Sequence, residues 1–105
     1  PWATQLLADL GAEVIKVERP DGGDDARRMG AAFRHGDSVI FHGFNRGKRS
    51  VAIDLKTAAG RAALDRILAR ADVLVHNLRP GVAEALGLDG ETLCARHPRL
   101  VHCAM

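Results

Sequence analysis

The sequence has 105 residues and a formal net charge of +2, and hydrophobic residues make up 47% of it. These values are typical of a soluble globular chain and exclude a collagen, a coiled coil and extended disorder. No apolar run approaches the ~20 residues that a membrane-spanning helix needs, and no signal peptide is recognisable. Two cysteines are too few for a disulfide framework, so we expect a reducing, cytoplasmic compartment.

The first half of the chain predicts a helix, a strand and a turn. Leucines spaced along residues 2–10 give one apolar helical face, and Gly11 suits the left-handed residue that ends a helix. Residues 13–19 are rich in β-branched side chains and predict a buried strand. Residues 20–24, Pro-Asp-Gly-Gly-Asp, predict a turn. Residues 24–44 have no clear period and are interpreted as a long surface excursion.

The second half predicts alternating strands and helices. Three strands are expected, at residues 50–55, 72–75 and 100–104. Thr57 is a candidate N-cap for a helix whose apolar residues recur at i, i+3, i+4 and i+7 from Leu64. Asp89 is a second candidate N-cap, with Leu88 and Leu93 placed for a hydrophobic staple. Strands joined by helices predict an α/β fold with a doubly wound, mainly parallel sheet.

Several loops carry cations where such a sheet would bind a ligand. In open α/β sheets, ligands lie beyond the carboxyl ends of the strands. This rule selects residues 19–25, 56–57 and the loop 77–81, and the basic stretch 45–49 precedes another strand. Each segment contains a Lys or an Arg that could face a phosphate. The alternative is that these cations are simply solvated surface.

No established nucleotide, metal or hydrolase motif is present. The chain has neither a Gly-x-Gly-x-x-Gly fingerprint nor a P-loop. A metal site is not expected from Cys94, His97, His102 and Cys103, because adjacent residues of a strand point to opposite faces. No Ser-His-Asp arrangement can be assembled. Asp24 and Asp25 are adjacent in a turn and are expected to cap the next segment rather than to share a proton.

Nucleic-acid binding is the alternative from another functional class. A basic stripe could be formed by Arg46, Lys48, Arg49 and Lys56. The chain has no Tyr, one Trp and three Phe, so an aromatic platform for stacking bases is poorly supplied. A net charge of +2 is also too small to imply a polyanionic partner. We therefore expect no nucleic-acid partner and no membrane partner.

Four ordered blocks of the sequence resemble the family III CoA-transferases of the CaiB/BaiF type. The first is Leu-Ala-Asp-Leu-Gly-Ala-Glu-Val-Ile-Lys-Val-Glu-Arg-Pro at residues 7–20. The second block consists of Gly-Asp at residues 23–24 followed by residues 45–56, which end in Ala-Ile-Asp-Leu-Lys. The third is residues 71–82 with His-Asn-Leu-Arg-Pro-Gly, and the fourth combines residues 86–88 and 97–101. Because the blocks follow the family order over almost the whole chain, the resemblance is specific.

The resemblance implies an enzyme that moves CoA from an acyl-CoA to a carboxylic acid. In this family an aspartate carboxylate attacks the thioester, forming a mixed anhydride and then an aspartyl-CoA thioester. That aspartate lies beyond Met105 in the family pattern, so no catalytic residue is expected here. The resemblance also implies a Rossmann-like large domain and an interlocked homodimer. Residues 1–105 are therefore interpreted as a partial N-terminal CoA-binding domain, truncated at both ends and inactive alone.

The resemblance further implies part of a CoA site and no metal. The matching positions are Arg19, Ile53, Asp54, Leu55, Lys56, Asn77, Leu78 and Arg79. Arg19 matches a cation that contacts the nucleotide end of CoA, residues 53–56 match the segment flanking adenosine and phosphates, and residues 77–79 match a loop lining the CoA channel. Two departures are Ala85, where some members have a cation, and Leu78, where an aromatic residue is frequent.

A racemase branch of the same family is the nearest alternative. It epimerises the α-carbon of an acyl-CoA with an acid–base pair and forms no acyl-enzyme. Asn77, the Glu-Arg-Pro sequence at residues 18–20 and the long segment 24–44 favour the transferase branch. A transferase is therefore the function that we expect, with an α-methylacyl-CoA racemase as the alternative.

Overall fold

The computed structural model describes residues 1–105, which form two compact units, Pro1–Ile53 and Asp54–Met105. The first unit contains α1 (Trp2–Asp9), β1 (Ile15–Glu18), a 3-10 helix (Asp25–Arg28), β2 (Phe33–Arg34), β3 (Asp37–Ser38), α2 (Val39–Asn45) and β4 (Arg49–Ala52). The second contains α3 (Ala58–Leu68), β5 (Val73–His76), α4 (Val82–Leu86), α5 (Gly90–Arg96) and β6 (Val101–Ala104). No helix is long and apolar enough to cross a membrane.

Each unit is built around one pair of parallel strands. In the first, β1 pairs with β4, and Ile15 lies opposite Arg49. In the second, β5 pairs with β6, and Val73 lies opposite Val101. A short antiparallel pair, β2 and β3, completes the first unit. The helices between parallel strands confirm the expected α/β class, since parallel neighbours need a crossover connection.

The second unit has an apolar core whose helices begin where the sequence predicts. The Thr57 hydroxyl accepts the Gly60 N–H, and the Asp89 carboxylate accepts the Thr92 N–H. Its buried apolar residues are Leu64, Leu68, Ala83, Leu88, Leu93 and Leu100. Both members of the expected staple, Leu88 and Leu93, are thus buried. N-caps are read correctly from sequence because each cap is a contact between residues three apart.

Residues 24–44 are mostly exposed, as expected for a surface excursion, but they contain short elements that the sequence did not predict. The segment contains the 3-10 helix, the β2–β3 hairpin and the start of α2. His35 and Gly36 both have positive φ, as the two-residue turns of tight hairpins require, although Asn-Gly is the usual sequence there. Ser38 caps α2 by accepting the Phe41 N–H at 3.0 Å. Strands of two residues are too short to show a period, so the sequence pattern concealed them.

The N-terminal helix forms as predicted. The face of this helix that carries the leucines is exposed. Leu10 caps α1, and Gly11 follows with φ +99°. Leu6, Leu7 and Leu10 are exposed, whereas Gln5 is the buried residue of the helix. The other buried residues of the first unit are Glu18, Ser38, Phe41 and Ile53. The interior of this unit is therefore largely polar and depends on hydrogen bonds.

Candidate functional site

Arg19 lies immediately after the carboxyl end of β1 and folds over the turn that follows. Its Nε donates to the Asp21 carbonyl at 3.1 Å, and its guanidinium forms an ion pair with Asp25. The side chain is exposed, so solvent or a ligand can reach it. Arg28 also reaches Asp25, with 3.4 Å between the Arg28 nitrogen and the carboxylate oxygen. Two cations, Arg19 and Arg28, thus share the Asp25 carboxylate.

Glu18, the residue before Arg19, anchors this end of the strand. Its side chain is only 3% exposed, and its carboxylate accepts two hydrogen bonds from Arg27 at 2.8 Å. The Ser50 hydroxyl of β4 donates at 2.7 Å and the Asp24 backbone N–H at 2.9 Å. The bonds from Arg27 do most to lower the pKa of Glu18 from 4.5 to about 2, against the opposing effect of burial. A charged carboxylate therefore ties β1, β4 and the turn together.

Arg27 extends this network toward α2. One of its nitrogens donates to the Asp37 carboxylate at 2.7 Å, and its guanidinium carbon lies 3.9 Å from the centre of the Phe41 ring. The hydrogen bonds with Glu18 raise the pKa of Arg27. An arginine that faces two carboxylates and an aromatic ring is fixed in position and cannot turn toward a ligand. We assign Arg27 a structural role.

Asp24 caps the 3-10 helix, as the sequence analysis expects. Its Oδ1 accepts the Ala26 N–H at 2.9 Å, and its Oδ2 pairs with the Lys16 ammonium at 2.5 Å. Burial acts to raise the pKa of Asp24, but the hydrogen bonds from Lys16 and the Ala26 N–H, together with the charge of Lys16, outweigh it, so the pKa is lowered. Asp24 and Asp25 have separate cationic partners, Lys16 and Arg19, so they do not form a pair that shares a proton.

Ile53 closes the first unit and is a core residue. It is buried, and its N–H donates to the Glu18 carbonyl at 2.8 Å, just beyond the end of β4. Its side chain is therefore withdrawn from solvent. Only its carbonyl and the chain that follows could contribute to a ligand site.

Residues 54–57 form a tight turn into α3 that leaves one cation free. The Asp54 carboxylate accepts the Lys56 N–H at 2.9 Å, and the Asp54 carbonyl accepts the Thr57 hydroxyl at 2.9 Å. Arg61 donates to the carbonyls of Leu55 and Lys56, which fixes the turn from the helix side. The Lys56 ammonium is exposed and has no hydrogen bond or ion pair, so it is available to an anion.

Leu55 belongs to the interior of the second unit. It lines a cavity of about 50 Å³ together with Leu64, Leu68, Leu86 and Leu88, and with the polar residues Arg61, Asp65 and Arg96. Ligand pockets usually have volumes of about 300–1,000 Å³. The cavity is too small for an adenine ring with its ribose. Leu55 is half-buried and lines this small cavity in the structure.

The loop after β5 presents the second free cation. Asn77 and Arg79 are exposed and Leu78 is half-buried. The Leu78 N–H donates to Nδ1 of His76 at 3.2 Å, and the Arg79 carbonyl accepts the Val82 N–H at 3.0 Å. The backbone of the loop is thus held at both ends while the Arg79 guanidinium makes no hydrogen bond or ion pair. Its planar head is free for a bidentate contact with a phosphate.

The basic stretch 45–49 is largely paired within the chain. Arg46 pairs with Asp9 at 2.5 Å and Arg49 with Glu13 at 2.6 Å. Lys48 donates to the Pro1 carbonyl at 2.9 Å and to the Asn45 side chain at 3.2 Å. Each cation of the stretch has an internal acceptor, so a continuous stripe for a polyanion is not formed.

Of the four residues considered for a metal site, the two histidines are held by other partners. His97 lies 3.0 Å from the Asp65 carboxylate, and His102 lies 2.8 Å from His76. Both cysteines are free and exposed. No cluster of three or more His, Cys, Asp or Glu side chains is arranged to hold a metal ion. The His76–His102 contact was not foreseen, since the sequence does not show which residues of two strands become neighbours.

The chain matches the family described as "CoA-transferase family III" over residues 1–105. This chain belongs to CoA-transferase family III. It is 43% identical over its whole length to a succinate–glutarate CoA-transferase of Agrobacterium fabrum and covers 28% of that protein. It is 41% identical to the human succinyl-CoA:glutarate CoA-transferase, covering all of this chain and 24% of the relative. The chain thus spans about a quarter of the length of the curated relatives that it matches.

Solved structures agree with the family assignment. A CaiB/BaiF family protein from Brucella suis superimposes with a TM-score of 0.90 at 44% identity, covering 99% of this chain and 28% of that one. A protein from Mycobacterium tuberculosis gives a TM-score of 0.86 at 40% identity, covering 99% and 29%.

Proposed function

We propose that the family III protein containing this chain transfers CoA from an acyl-CoA to a carboxylic acid. The observation that carries the proposal is the family match over residues 1–105, together with relatives named as CoA-transferases at 40–43% identity. Those names include succinate, glutarate, oxalate and malate. All four are dicarboxylates, so a dicarboxylic acid is the class of acceptor to test first, with succinyl-CoA as donor.

Within that enzyme, residues 1–105 would supply part of the CoA site in a Rossmann-like N-terminal domain. The proposed residues are Arg19, Ile53, Asp54, Leu55, Lys56, Asn77, Leu78 and Arg79. Lys56 and Arg79 are the strongest members, because each is exposed, lacks an internal partner and follows a strand of a parallel pair. Arg19 would release Asp25 and contact a phosphate of CoA instead. Ile53 and Leu55 would contribute through the backbone, since their side chains pack inward.

The first experiment detects the covalent intermediate. The intact protein is incubated with succinyl-CoA and no acceptor and then weighed by mass spectrometry. A covalent acyl or CoA adduct supports the aspartyl route of a transferase. Exchange of the α-hydrogen in heavy water without an adduct would instead favour the racemase branch. Neither signal, together with no binding of free CoA, would overturn the proposal.

The second experiment tests the cations by titration with free CoA. Lys56→Ala and Arg79→Ala should each weaken CoA binding by about threefold to tenfold, the usual range for a charge-assisted contact at a solvent-exposed site. Arg70→Ala is the matched control, because Arg70 is an exposed cation of the same unit with no internal partner, and it lies away from both segments. Equal losses for all three variants would indicate general electrostatic attraction and would refute the site.

The assembly and compartment are also proposals. We propose an interlocked homodimer in the cytoplasm, which the family resemblance implies. Light scattering of the intact protein measures the dimer directly. A monomer that retains transferase activity would contradict it.

A further inference from the structure

Two histidines of neighbouring strands form a direct hydrogen bond beside the proposed CoA loop. His76 ends β5 and His102 lies in β6. Their Nε2 atoms are 2.8 Å apart, and the ring centres are separated by 4.9 Å. Both side chains are half-buried. The contact is diagonal across the strand pair, since the register places Ala104 opposite His76.

The backbone of the loop fixes the proton positions on this pair. The Leu78 N–H donates to Nδ1 of His76, so that nitrogen carries no proton. The proton of neutral His76 is therefore on Nε2, which donates to Nε2 of His102, and His102 keeps its proton on Nδ1. A metal bound by both Nε2 atoms would require a proton on Nδ1 of His76, facing the Leu78 N–H. The arrangement is therefore a hydrogen-bonded pair and not a pair of metal ligands.

When the histidine pair takes up one proton, it cannot keep both the bond between the rings and the bond from the Leu78 N–H. A singly charged pair keeps its ring-to-ring contact when one proton lies between the two Nε2 atoms, and this charge-assisted bond is stronger than the neutral one. Both Nδ1 atoms are then protonated. A protonated Nδ1 on His76 has no lone pair for the Leu78 N–H, so two donors face each other. Protonation therefore breaks the hydrogen bond that holds the loop and spares the bond between the rings.

Few charged groups surround the pair. On α5, which packs against β6, the carboxylate of Asp89 interacts electrostatically with His102. Gly90 brings that helix close, since a Cβ at residue 90 would lie 3.0 Å from Nδ1 of His102. On β6, Cys103 is exposed and makes no hydrogen bond with the pair. The other charged residues nearest to the pair along the chain are Asp72, Arg79 and Arg99.

We propose that His76 is a positioning residue that holds residues 77–79, and that protonation of the His76–His102 pair releases them. The inference rests on the proposed function, in which this loop lines the CoA channel and Arg79 meets a phosphate. Histidine is the side chain whose charge most readily responds to pH near neutrality, so acidification is the perturbation that tests this device. The protein should lose CoA affinity under acidic conditions beyond what the ionisation of CoA itself explains.

The test compares CoA affinity at about pH 8 and about pH 5.5 in the intact protein and its His76→Asn variant. An Asn carbonyl at residue 76 can accept the Leu78 N–H and does not titrate. Loss of one backbone hydrogen bond corresponds to about a fivefold effect. The loss of affinity on acidification should therefore be about fivefold greater in the wild type than in the variant. His76→Ala, which removes the acceptor, should bind more weakly at both pH values. An identical pH dependence in wild type and His76→Asn would overturn the proposal.

A second readout does not depend on CoA. In protein labelled with ¹⁵N histidine, the ring nitrogen shifts report the tautomer of each imidazole. We expect a protonated Nε2 on His76 and a protonated Nδ1 on His102 at about pH 8, with the Leu78 amide exchanging faster after acidification. A protonated Nδ1 on neutral His76 would overturn the proposal. Absence of CoA binding at every pH, with these tautomers present, would reject the proposed function and leave the proton-linked loop intact.

Discussion

Replacement of Glu18 by Gln should open the strand pair of the first unit. The side chain is 3% exposed and accepts hydrogen bonds from Arg27, Ser50 and the Asp24 backbone. Its pKa is about 2, against an ordinary value of 4.5. This difference corresponds to about 3 kcal/mol of stability at neutral pH. A similar loss, about 3–5 kcal/mol, is expected when one partner of a buried ion pair is removed.

The sign of the pH dependence follows from the direction of the shift. The pKa of Glu18 is lower in the folded state, so its contribution is complete above about pH 4.5 and is lost as the pH falls toward 2. The difference between wild type and Glu18→Gln should therefore decrease from about 3 kcal/mol at pH 7 to about 1.5 kcal/mol at pH 3.

Hydrogen exchange measures this difference within the intact protein. Protection of the backbone amides in β1 and β4 gives the free energy of opening of this strand pair. Glu13→Gln is the matched control, because Glu13 pairs with Arg49 at 2.6 Å but both side chains are largely exposed. The control should change protection by less than about 1 kcal/mol. A Glu18→Gln effect as small as that of the control, or one equal at pH 7 and pH 3, would refute the reasoning.

Three further predictions concern local backbone contacts, and each is checked by amide exchange in the affected helix. Ser38→Ala should cost about 2 kcal/mol, because the buried hydroxyl both caps α2 and donates to the Ala26 carbonyl at 2.6 Å; a loss no larger than that of an exposed serine would contradict this. Thr57→Ala should cost about 1 kcal/mol through loss of the α3 cap; unchanged protection in the first turn of α3 would contradict this. Gly60→Ala should destabilise α3 by about 3 kcal/mol, since its Cβ would lie 1.9 Å from the Asp54 carbonyl oxygen. Gly43→Ala is its control and should stabilise α2 by up to about 1 kcal/mol, because nothing lies within 4 Å; equal signs for the two would show the close contact to be absent.

Local signals in the sequence were sufficient for most of the elements. The caps at Thr57 and Asp89 and the left-handed Gly11 were predicted correctly because each depends on residues within one turn of the chain. The alternation of helices and strands predicted the α/β class for the same reason. Four ordered blocks also predicted the family, which the match over residues 1–105 confirms. The CoA site itself stays a prediction, carried by exposed, unpaired Lys56 and Arg79.

Tertiary structure alone decided which side chains these elements bury and join. The sequence pattern pointed to the leucines of α1, yet Gln5 is the buried residue of that helix. Glu18 meets Arg27 and Ser50, which lie 9 and 32 residues away, and His76 meets His102, 26 residues away. Such contacts depend on strand register and on the path by which the chain brings distant residues together, and neither is encoded in the spacing of nearby residues. The sequence determined most of the elements and the family, while the fold determined the buried carboxylate and the histidine pair.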